Sequence, residues 1–247
     1  MFSVAGRVAC VTGASAGLGR VIATALADAG AHVVGVARRA EALSAWQDET
    51  TGATAAVAAD LSNPDAMEEV ATRLSSPFGG RVILGSAAGI NPRLAADDVT
   101  AEGGRATLEL NLGAPFFLAQ ALVPAMRAKG WGRIVTFASL QSFRAFPGGL
   151  AYGASKGGIA QLTRAMAEAW SKDGITANAL APGFFPTELT GPVFADPERA
   201  ARNAAQTCAG RNGTLEDIVG PALFLCSDAS AYVTGQVLAV DGGFTAK

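Results

Sequence analysis

Short runs rich in β-branched residues alternate with longer alanine-rich segments of helical period, and this alternation leaves few folds open. The runs span residues 8–11, 32–36, 53–58, 81–84, 133–137, 176–180 and 237–240. Between them lie helical patterns at 18–29, 40–50, 64–74, 104–129, 153–172 and 215–226. Strands separated by helices pair in parallel, with the crossover helices covering both faces of the sheet. The expectation is a doubly wound α/β fold of the Rossmann type. Composition agrees: 50% of the chain is apolar and only 16% charged, as suits strands buried on both faces. Gly30, Gly130 and Gly174 fall just past helical patterns, where C-terminal stops belong. No linker or repeat divides the chain, so residues 1–247 read as one domain. Only residues 182–213 break the rhythm, with Pro182, Pro186, Pro192 and Pro197. They follow the sixth strand, and a long insertion at the carboxyl end of a parallel sheet is where a substrate lid belongs, here over 183–213.

Several classes are disfavoured. Net charge is −2, so no basic surface for nucleic acid is signalled. The N-terminus enters a strand pattern almost at once, without a signal-peptide pattern, and no apolar run reaches the ~18 residues of a membrane span. Cys10, Cys208 and Cys226 are scattered and odd in number, and read as core fillers in a reducing compartment. The expectation is a cytoplasmic protein with no membrane partner and no metal site. The single histidine, His32, opens a strand far from every motif and reads as structural.

Two constellations carry chemistry. The first is the turn Thr12-Gly13-Ala14-Ser15-Ala16-Gly17-Leu18-Gly19, placed after a strand and opening a helix. Gly13 permits the turn. Gly17 and Gly19 let backbone and helix approach a pyrophosphate, whose charge the helix N-terminus favours. The second strand ends in Ala37-Arg38-Arg39, where an NAD enzyme commonly places an acid for the ribose 2′-hydroxyl. A guanidinium suits a 2′-phosphate instead, so NADP is favoured over NAD. The other reading is that both arginines merely solvate a strand end. Asp60-Leu61 ends the third strand; the carboxylate either accepts from an adenine amino group or caps the helix near Pro64.

The second constellation is Ser139, Tyr152 and Lys156, with Asn111. Tyr152 and Lys156 are four apart and share one helix face. A free phenol has a pKa of ~10, too high for a base at neutral pH. A neighbouring ammonium and an oxidised nicotinamide would favour phenolate, so Tyr152 could exchange a proton with a substrate oxygen held by Ser139. Asn111 is a polar amide among Leu110 and Leu112. It reads either as a satisfied core residue or as the anchor of a proton-relay water near Lys156.

These residues resemble the short-chain dehydrogenase/reductase family over essentially the whole chain. The match comprises Thr12-Gly13-x-x-x-Gly17-x-Gly19, Asp60, Ala88-Gly89, Asn111, Ser139, Tyr152-x-x-x-Lys156, Pro182-Gly183 and the tail Val233-Thr234-Gly235-x-x-Leu238-x-Val240-Asp241-Gly242-Gly243. The resemblance implies a seven-stranded sheet and a catalytic tetrad of Asn111, Ser139, Tyr152 and Lys156. It also implies that Lys156 touches the nicotinamide ribose and that Pro182, Gly183 and Thr187 line the nicotinamide pocket. The cofactor-binding set is then Gly13, Ser15, Gly17, Leu18, Gly19, Arg38, Asp60, Leu61, Ala88, Gly89, Tyr152, Lys156, Pro182, Gly183 and Thr187. One departure stands out: Ser86-Ala87-Ala88-Gly89 replaces the usual Asn-Asn-Ala-Gly or Asn-Ala-Ala-Gly.

Substrate identity lies in the loops. The stretches Ser139-Leu140-Gln141-Ser142 and 182–190 resemble those of gluconate 5-dehydrogenase-like members of that family. Asn91, Arg93 and Gln141 offer donors for hydroxyls and a carboxylate, beside Ser139 and Tyr152. The expected reaction is hydride transfer between NADP or NAD and a secondary alcohol of a sugar acid or polyol. An alternative is a 3-oxoacyl-carrier-protein reductase, which wants a basic docking face such as Arg199, Arg202 and Arg211 would offer. A remote alternative is a cofactor-sensing protein without turnover, disfavoured because Tyr152 and Lys156 are both retained. A homotetramer is expected from the family, from the apolar helices at 104–129 and 153–172, and from Val237–Val240 as an edge strand.

Overall fold

The structure is a computed structural model that describes residues 1–79 and 83–247. Its strands are β1 (Val8–Thr12), β2 (His32–Ala37), β3 (Thr54–Ala58), β4 (Ile83–Ser86), β5 (Gly132–Phe137), β6 (Ile175–Pro182) and β7 (Val237–Val240). The helices are α1 (Gly17–Asp28), α2 (Ala40–Glu49), α3 (Met67–Ser75), α4 (Ala101–Leu108), α5 (Ala114–Lys129), α6 (Leu150–Trp170), α7 (Gly191–Phe194), α8 (Pro197–Gln206) and α9 (Val219–Leu225). The seven strands form one parallel sheet in the order β3-β2-β1-β4-β5-β6-β7. The expected fourth strand began at Arg81; Arg81 and Val82 lie outside the described residues.

Burial follows position in the sheet. Every residue of β1, β4 and β5 is buried, whereas the edge strands β3 and β7 are only partly so. Helices cover both faces. On one, Ile22 and Leu26 of α1, Leu43 and Trp46 of α2, and Ala222 and Leu225 of α9 pack on Ala9, Val11, Val33 and Val135. On the other, Leu74 of α3, Leu118, Leu122 and Met126 of α5, and Met166 of α6 pack on Cys10, Val34, Ile134 and Ala177. Successive residues of one strand thus serve opposite cores, as the two-residue period of a strand requires. Gly130 and Gly174 stop their helical segments in left-handed conformations, with φ of 59° and 77°.

Several elements differ from the sequence expectations. The helical pattern at 104–129 begins earlier, at Ala101, and is interrupted by a π-helical turn, Glu109–Gly113, between α4 and α5. Together Ala101–Lys129 is long and apolar enough to cross a membrane by length and composition, contrary to the expectation that no segment would be. Half of its apolar window is buried inside the fold, against the sheet. α6 starts at Leu150 and not at 153, which places Tyr152 within its first turn. The pattern at 215–226 divides into a 3₁₀ turn, Leu215–Ile218, and α9. The proline-rich insertion contains α7 and α8, which its prolines initiate: Pro192 and Pro197 sit at first-turn positions, where a missing N–H costs nothing. Cys10 and Cys226 are buried as expected, but Cys208 is exposed; it sits past the end of α8, where its thiol donates to the Gly243 carbonyl at 3.3 Å.

Two central-strand glycines make opposite predictions. A Cβ on Gly35 of β2 would fall 2.4 Å from Cζ3 of the fully buried Trp46 and 3.0 Å from Ala14 Cβ. A Cβ on Gly85 of β4 would meet Val11 at an ordinary 3.5 Å. Gly35→Ala is therefore expected to cost ~1–3 kcal/mol through overpacking, while Gly85→Ala is neutral or slightly stabilising because alanine loses less backbone entropy. Urea denaturation of both variants checks this; equal effects would contradict the packing described.

Candidate active site

The strand order reverses direction between β1 and β4, and in such sheets ligands bind at the carboxyl ends beside this switch point. Here the two chains leaving the sheet nearly touch. Ala88 N–H donates to Thr12 Oγ1 at 3.1 Å, and a Cβ on Gly13 would lie 2.9 Å from Ala88 N. The turn also closes on its own helix, since a Cβ on Gly19 would fall 2.4 Å from the Gly13 carbonyl oxygen. Only glycine fits either place. Ala16, at the N-cap of α1, offers no side-chain oxygen, and the first turn holds no acid. The free backbone N–H groups of that turn therefore suit an external anion. Arg38 and Arg39 follow the neighbouring strand β2. This donor set fits a dinucleotide, and the cationic strand end fits an added 2′-phosphate.

A cleft of about 680 Å³ runs from this turn across the carboxyl ends of the strands. Gly13, Ser15, Gly17, Leu18, Gly19, Arg38, Leu61, Ala88 and Gly89 line one part of it. Asn91, Arg93, Ser139, Gln141, Tyr152, Lys156, Pro182, Gly183 and Thr187 line the rest. Two expected residues do not. Asp60 is exposed between the lining residues Ala59 and Leu61, and its carboxylate accepts from Ser62 N–H at 2.9 Å and Ser62 Oγ at 2.8 Å. Those bonds hold its pKa below the ordinary value. Nor does Asp60 cap the helix near Pro64; Asn63 does, accepting from Asp65 N–H.

Asn111 is the second. It is buried in the π turn. Its Nδ2 donates to the Ile90 carbonyl at 2.9 Å and to Ser155 Oγ at 3.1 Å, and its Oδ1 accepts from Ile90 N–H at 2.9 Å. Both ends of the amide are engaged, so Asn111 clamps the loop after β4 to α6. The extra residue of a π turn swings one side chain out of the ordinary helical register, a device common at functional sites.

Ser139 leaves β5 and caps a 3₁₀ turn, its hydroxyl accepting from Gln141 N–H at 3.2 Å. Ser142 closes this capping box by accepting from Ser139 N–H, and donates to the Lys156 carbonyl at 2.6 Å. It thereby locks the serine-bearing turn to α6. Tyr152 and Lys156 are buried on one face of that helix. Lys156 Nζ donates to the Phe137 carbonyl at 2.6 Å and lies 5.6 Å from the centre of the Tyr152 ring. Burial lowers its pKa to about 8. The phenol behaves differently from the sequence expectation. Burial pushes the Tyr152 pKa up, and the groups that pull it back are the Ser139 hydroxyl and the Arg93 guanidinium, not Lys156.

Arg93 is thus closer to the chemistry than its loop position suggested. It is the one non-glycine residue among those described with φ in the left-handed region, 54°, and its Nη2 donates to the Leu189 carbonyl at 3.1 Å. Burial lowers its pKa and the charge of Arg199 adds to that, so two guanidiniums sense one another across the cleft. Arg199 and Asn203 come from α8, and nothing in the sequence pattern of the insertion pointed them inward. Asn91, Gln141 and Asn203 line the cleft, and each carries one buried polar atom without a hydrogen-bond partner, Oδ1, Oε1 and Nδ2 respectively; that of Gln141 is turned against Gly149. The basic docking face expected from three arginines does not form. Arg199 lines the cleft, Arg202 pairs with Glu198, and Arg211 forks onto Asp217. At the end of β4, Ser86 Oγ is buried without a partner.

Comparison with known proteins agrees with this geometry. Residues 13–245 match a family model described as enoyl-(acyl carrier protein) reductase, of the short-chain dehydrogenase type. A gluconate 5-dehydrogenase of Gluconobacter oxydans is 40% identical over 248 residues, covering 99% of this chain and 97% of that one. A solved structure from Beutenbergia cavernae, a candidate NAD(P)-dependent gluconate 5-dehydrogenase with bound NADP, superposes with a TM-score of 0.94 at 45% identity, over 100% of this chain and 99% of that one. A gluconate 5-dehydrogenase of Burkholderia cenocepacia in complex with NADP and tartrate superposes with a TM-score of 0.93 at 35% identity, over 100% and 98%.

The buried ammonium has a measurable consequence. Below pH 8 Lys156 is protonated in both folded and unfolded chains, and the cost of burying its charge is fully present. Between about 8 and its ordinary value of 10.5 the folded chain sheds the proton while the unfolded chain keeps it. The unfolded state then binds more protons, so stability rises with pH, by up to about 3 kcal/mol. Lys156→Met lacks that term. Urea denaturation of the cofactor-free protein at pH 7 and pH 10 should show the wild type gaining on the variant; a constant difference would contradict the burial.

Proposed function

The chain belongs to the short-chain dehydrogenase/reductase family, and from that premise we propose that it oxidises, reversibly, a secondary alcohol of a small sugar acid or polyol with NADP. The nicotinamide, when bound, supplies or accepts the hydride. The residues Gly13, Ser15, Gly17, Leu18, Gly19, Leu61, Ala88 and Gly89 hold the dinucleotide in this reading, with Arg38 toward the 2′-phosphate, Asp60 at the adenine end and Pro182, Gly183 and Thr187 at the nicotinamide end. Ser139 holds the substrate oxygen and Tyr152 exchanges a proton with it. Lys156 anchors the ribose. The Ser139 hydroxyl and the nearby Arg93 oppose the rise that burial imposes on the Tyr152 pKa, and the charge of the oxidised cofactor ring would add to that pull. Asn111 acts as a positioning residue that fixes the loop carrying Ile90.

One observation carries the substrate class. Arg93 and Arg199 act on one another across the cleft, Arg93 also lies close enough to Tyr152 to act on its phenol, and Asn91, Gln141 and Asn203 line the same cleft. A site lined by charged and hydrogen-bonding side chains selects a ligand that pairs with them strongly over one that cannot. A polyhydroxylated carboxylate supplies both hydroxyls and an anion. The relatives named for gluconate oxidation point the same way. The second reading, a 3-oxoacyl-carrier-protein reductase, draws support from relatives of that name that are 35% identical to this chain. The internal pairing of Arg202 and Arg211 argues against it, because an acidic carrier would find no free basic face there.

We also take residues 1–247 as one functional domain whose lid spans 183–213, working in the cytoplasm as a homotetramer. Exposed Leu108, Phe117 and Leu150 on α4, α5 and α6, and the uncovered edge of β7 with Leu238, support burial against further copies. Light scattering would give four times 24.9 kDa.

A screen of aldonates, alditols and β-ketoacyl thioesters with NADP and NAD, following absorbance of the reduced cofactor, tests the assignment. Turnover of thioesters alone would favour the carrier-protein reading. Tyr152→Phe should lower kcat by a factor of ~10²–10⁴ with the NADPH Kd nearly unchanged; substantial residual turnover would remove the tyrosine from its role. Arg199→Ala should raise KM for an aldonate roughly 10-fold, a charge-assisted contact discounted for exposure, and leave the matching alditol unaffected. Equal losses for both would take Arg199 out of carboxylate recognition.

A further inference from the structure

Arg39, the second arginine after β2, is not free. Its Nη1 donates to Glu188 Oε1 at 3.1 Å and its Nη2 to Glu188 Oε2 at 3.0 Å, a two-pronged fork. Nη2 also reaches Ser15 Oγ at 3.2 Å. Three separate segments therefore meet at one guanidinium: the end of β2, the glycine-rich turn and the first residue past Thr187. All three residues line the cleft. The pair is more than half exposed, 52% for Arg39 and 67% for Glu188, so it stabilises the fold little.

Its position is more informative. The segment after the second strand of this fold is where the adenosine ribose is read at its 2′ position. A guanidinium fork that holds a carboxylate in two-pronged fashion has the geometry that holds a phosphate. Ser15 stands beside the same fork with a hydroxyl donor. The Glu188 carboxylate thus occupies the anion place of a site built from Arg39 and Ser15. Arg38, the other cation at the end of β2, lies close enough to Asp60 to help lower its pKa, while the ion pair of Glu188 is with Arg39.

We propose that Glu188 is an internal competitor for the cofactor's 2′-phosphate: NADP takes Arg39 and Ser15 from Glu188, whereas NAD, lacking that phosphate, leaves the pair intact. The next residue gives the exchange a reach. The Leu189 carbonyl accepts from Arg93 Nη2 at 3.1 Å, so the start of the lid is held from the cofactor side by Arg39 and from the substrate side by Arg93. Loss of the first hold by NADP leaves the segment with the Arg93 contact and the local hydrogen bonds of Thr187 and Thr190. Glu188 is then a determinant of cofactor choice that acts by opposing the phosphate, not by contacting it.

The inference rests on NADP being the cofactor, and a set of binding measurements separates the two. Kd values for NADPH and NADH are measured by titration calorimetry on wild type, Glu188→Gln, Arg39→Ala and the double variant. Glu188→Gln should improve the NADPH-to-NADH affinity ratio about two- to five-fold, the range expected of an exposed ion pair. Arg39→Ala should weaken NADPH selectively and abolish the gain from Glu188→Gln in the double variant. If Arg39→Ala weakens NADPH but Glu188→Gln leaves the ratio unchanged, or keeps its gain without Arg39, the competition is overturned while the cofactor assignment stands. If the wild type prefers NADH and Arg39→Ala is without effect, the cofactor assignment fails and the competition with it.

Discussion

The rest of the structure depends on a close approach of two backbones. β1 and β4 lie side by side, yet the chains leaving them go to opposite faces of the sheet. The crevice between them exists only because Gly13 comes almost into contact with Ala87 and Ala88, and because Thr12 Oγ1 takes the Ala88 N–H that would otherwise point into the gap. Gly19 then lets α1 start directly beneath the turn. No larger residue fits at either glycine, and so the glycines come as a spaced set. They are a steric requirement of bringing a helix N-terminus and a second strand end to the same anion.

Around this crevice the fold holds a nearly buried lysine ammonium on the lining of the cleft. Lys156 is buried, and its Nζ donates to the Phe137 carbonyl at the end of β5. A buried cation without a counter-charge costs stability. The surrounding structure tolerates it because α6 is fixed on several sides: by Ser142 at the Lys156 carbonyl, by Asn111 at Ser155, and by the packing of Ile159 and Met166. The same rigidity sets the phenol of Tyr152 beside Ser139. A local cost is thus carried by the core, and it leaves an ammonium 5.6 Å from the centre of the Tyr152 ring.

The insertion after β6 is tied to two different segments of the cleft. Glu188 and Leu189 are adjacent in sequence, but one is held by an arginine from the nucleotide half and the other by an arginine from the substrate half. Further along, α8 turns Arg199 and Asn203 toward the cleft while leaving Arg202 and Glu198 to pair with one another outside. The amphipathic spacing of a short helix is enough to divide neighbouring arginines between a site and a surface.

Much of this was legible in the sequence. The alternation of strand and helix patterns determined a parallel sheet covered on both faces, and the spacing of Gly13, Gly17 and Gly19 determined where a dinucleotide could approach. The four-residue spacing of Tyr152 and Lys156 determined that they share a helix face, since 3.6 residues make a turn. All these are local rules, fixed by backbone sterics within a few residues. Tertiary structure alone decided the rest. The π turn at Glu109–Gly113 turned Asn111 onto Ile90 and Ser155, although its apolar neighbours said only that it would be buried. Burial raised the pKa of Tyr152, and Arg93 rather than Lys156 opposed that shift. Arg39, not distinguishable from Arg38 in the sequence, found Glu188 at a separation of 149 residues. Such contacts depend on which loops the sheet gathers at one end and on how much water is left there, and neither quantity is written in any short stretch of chain.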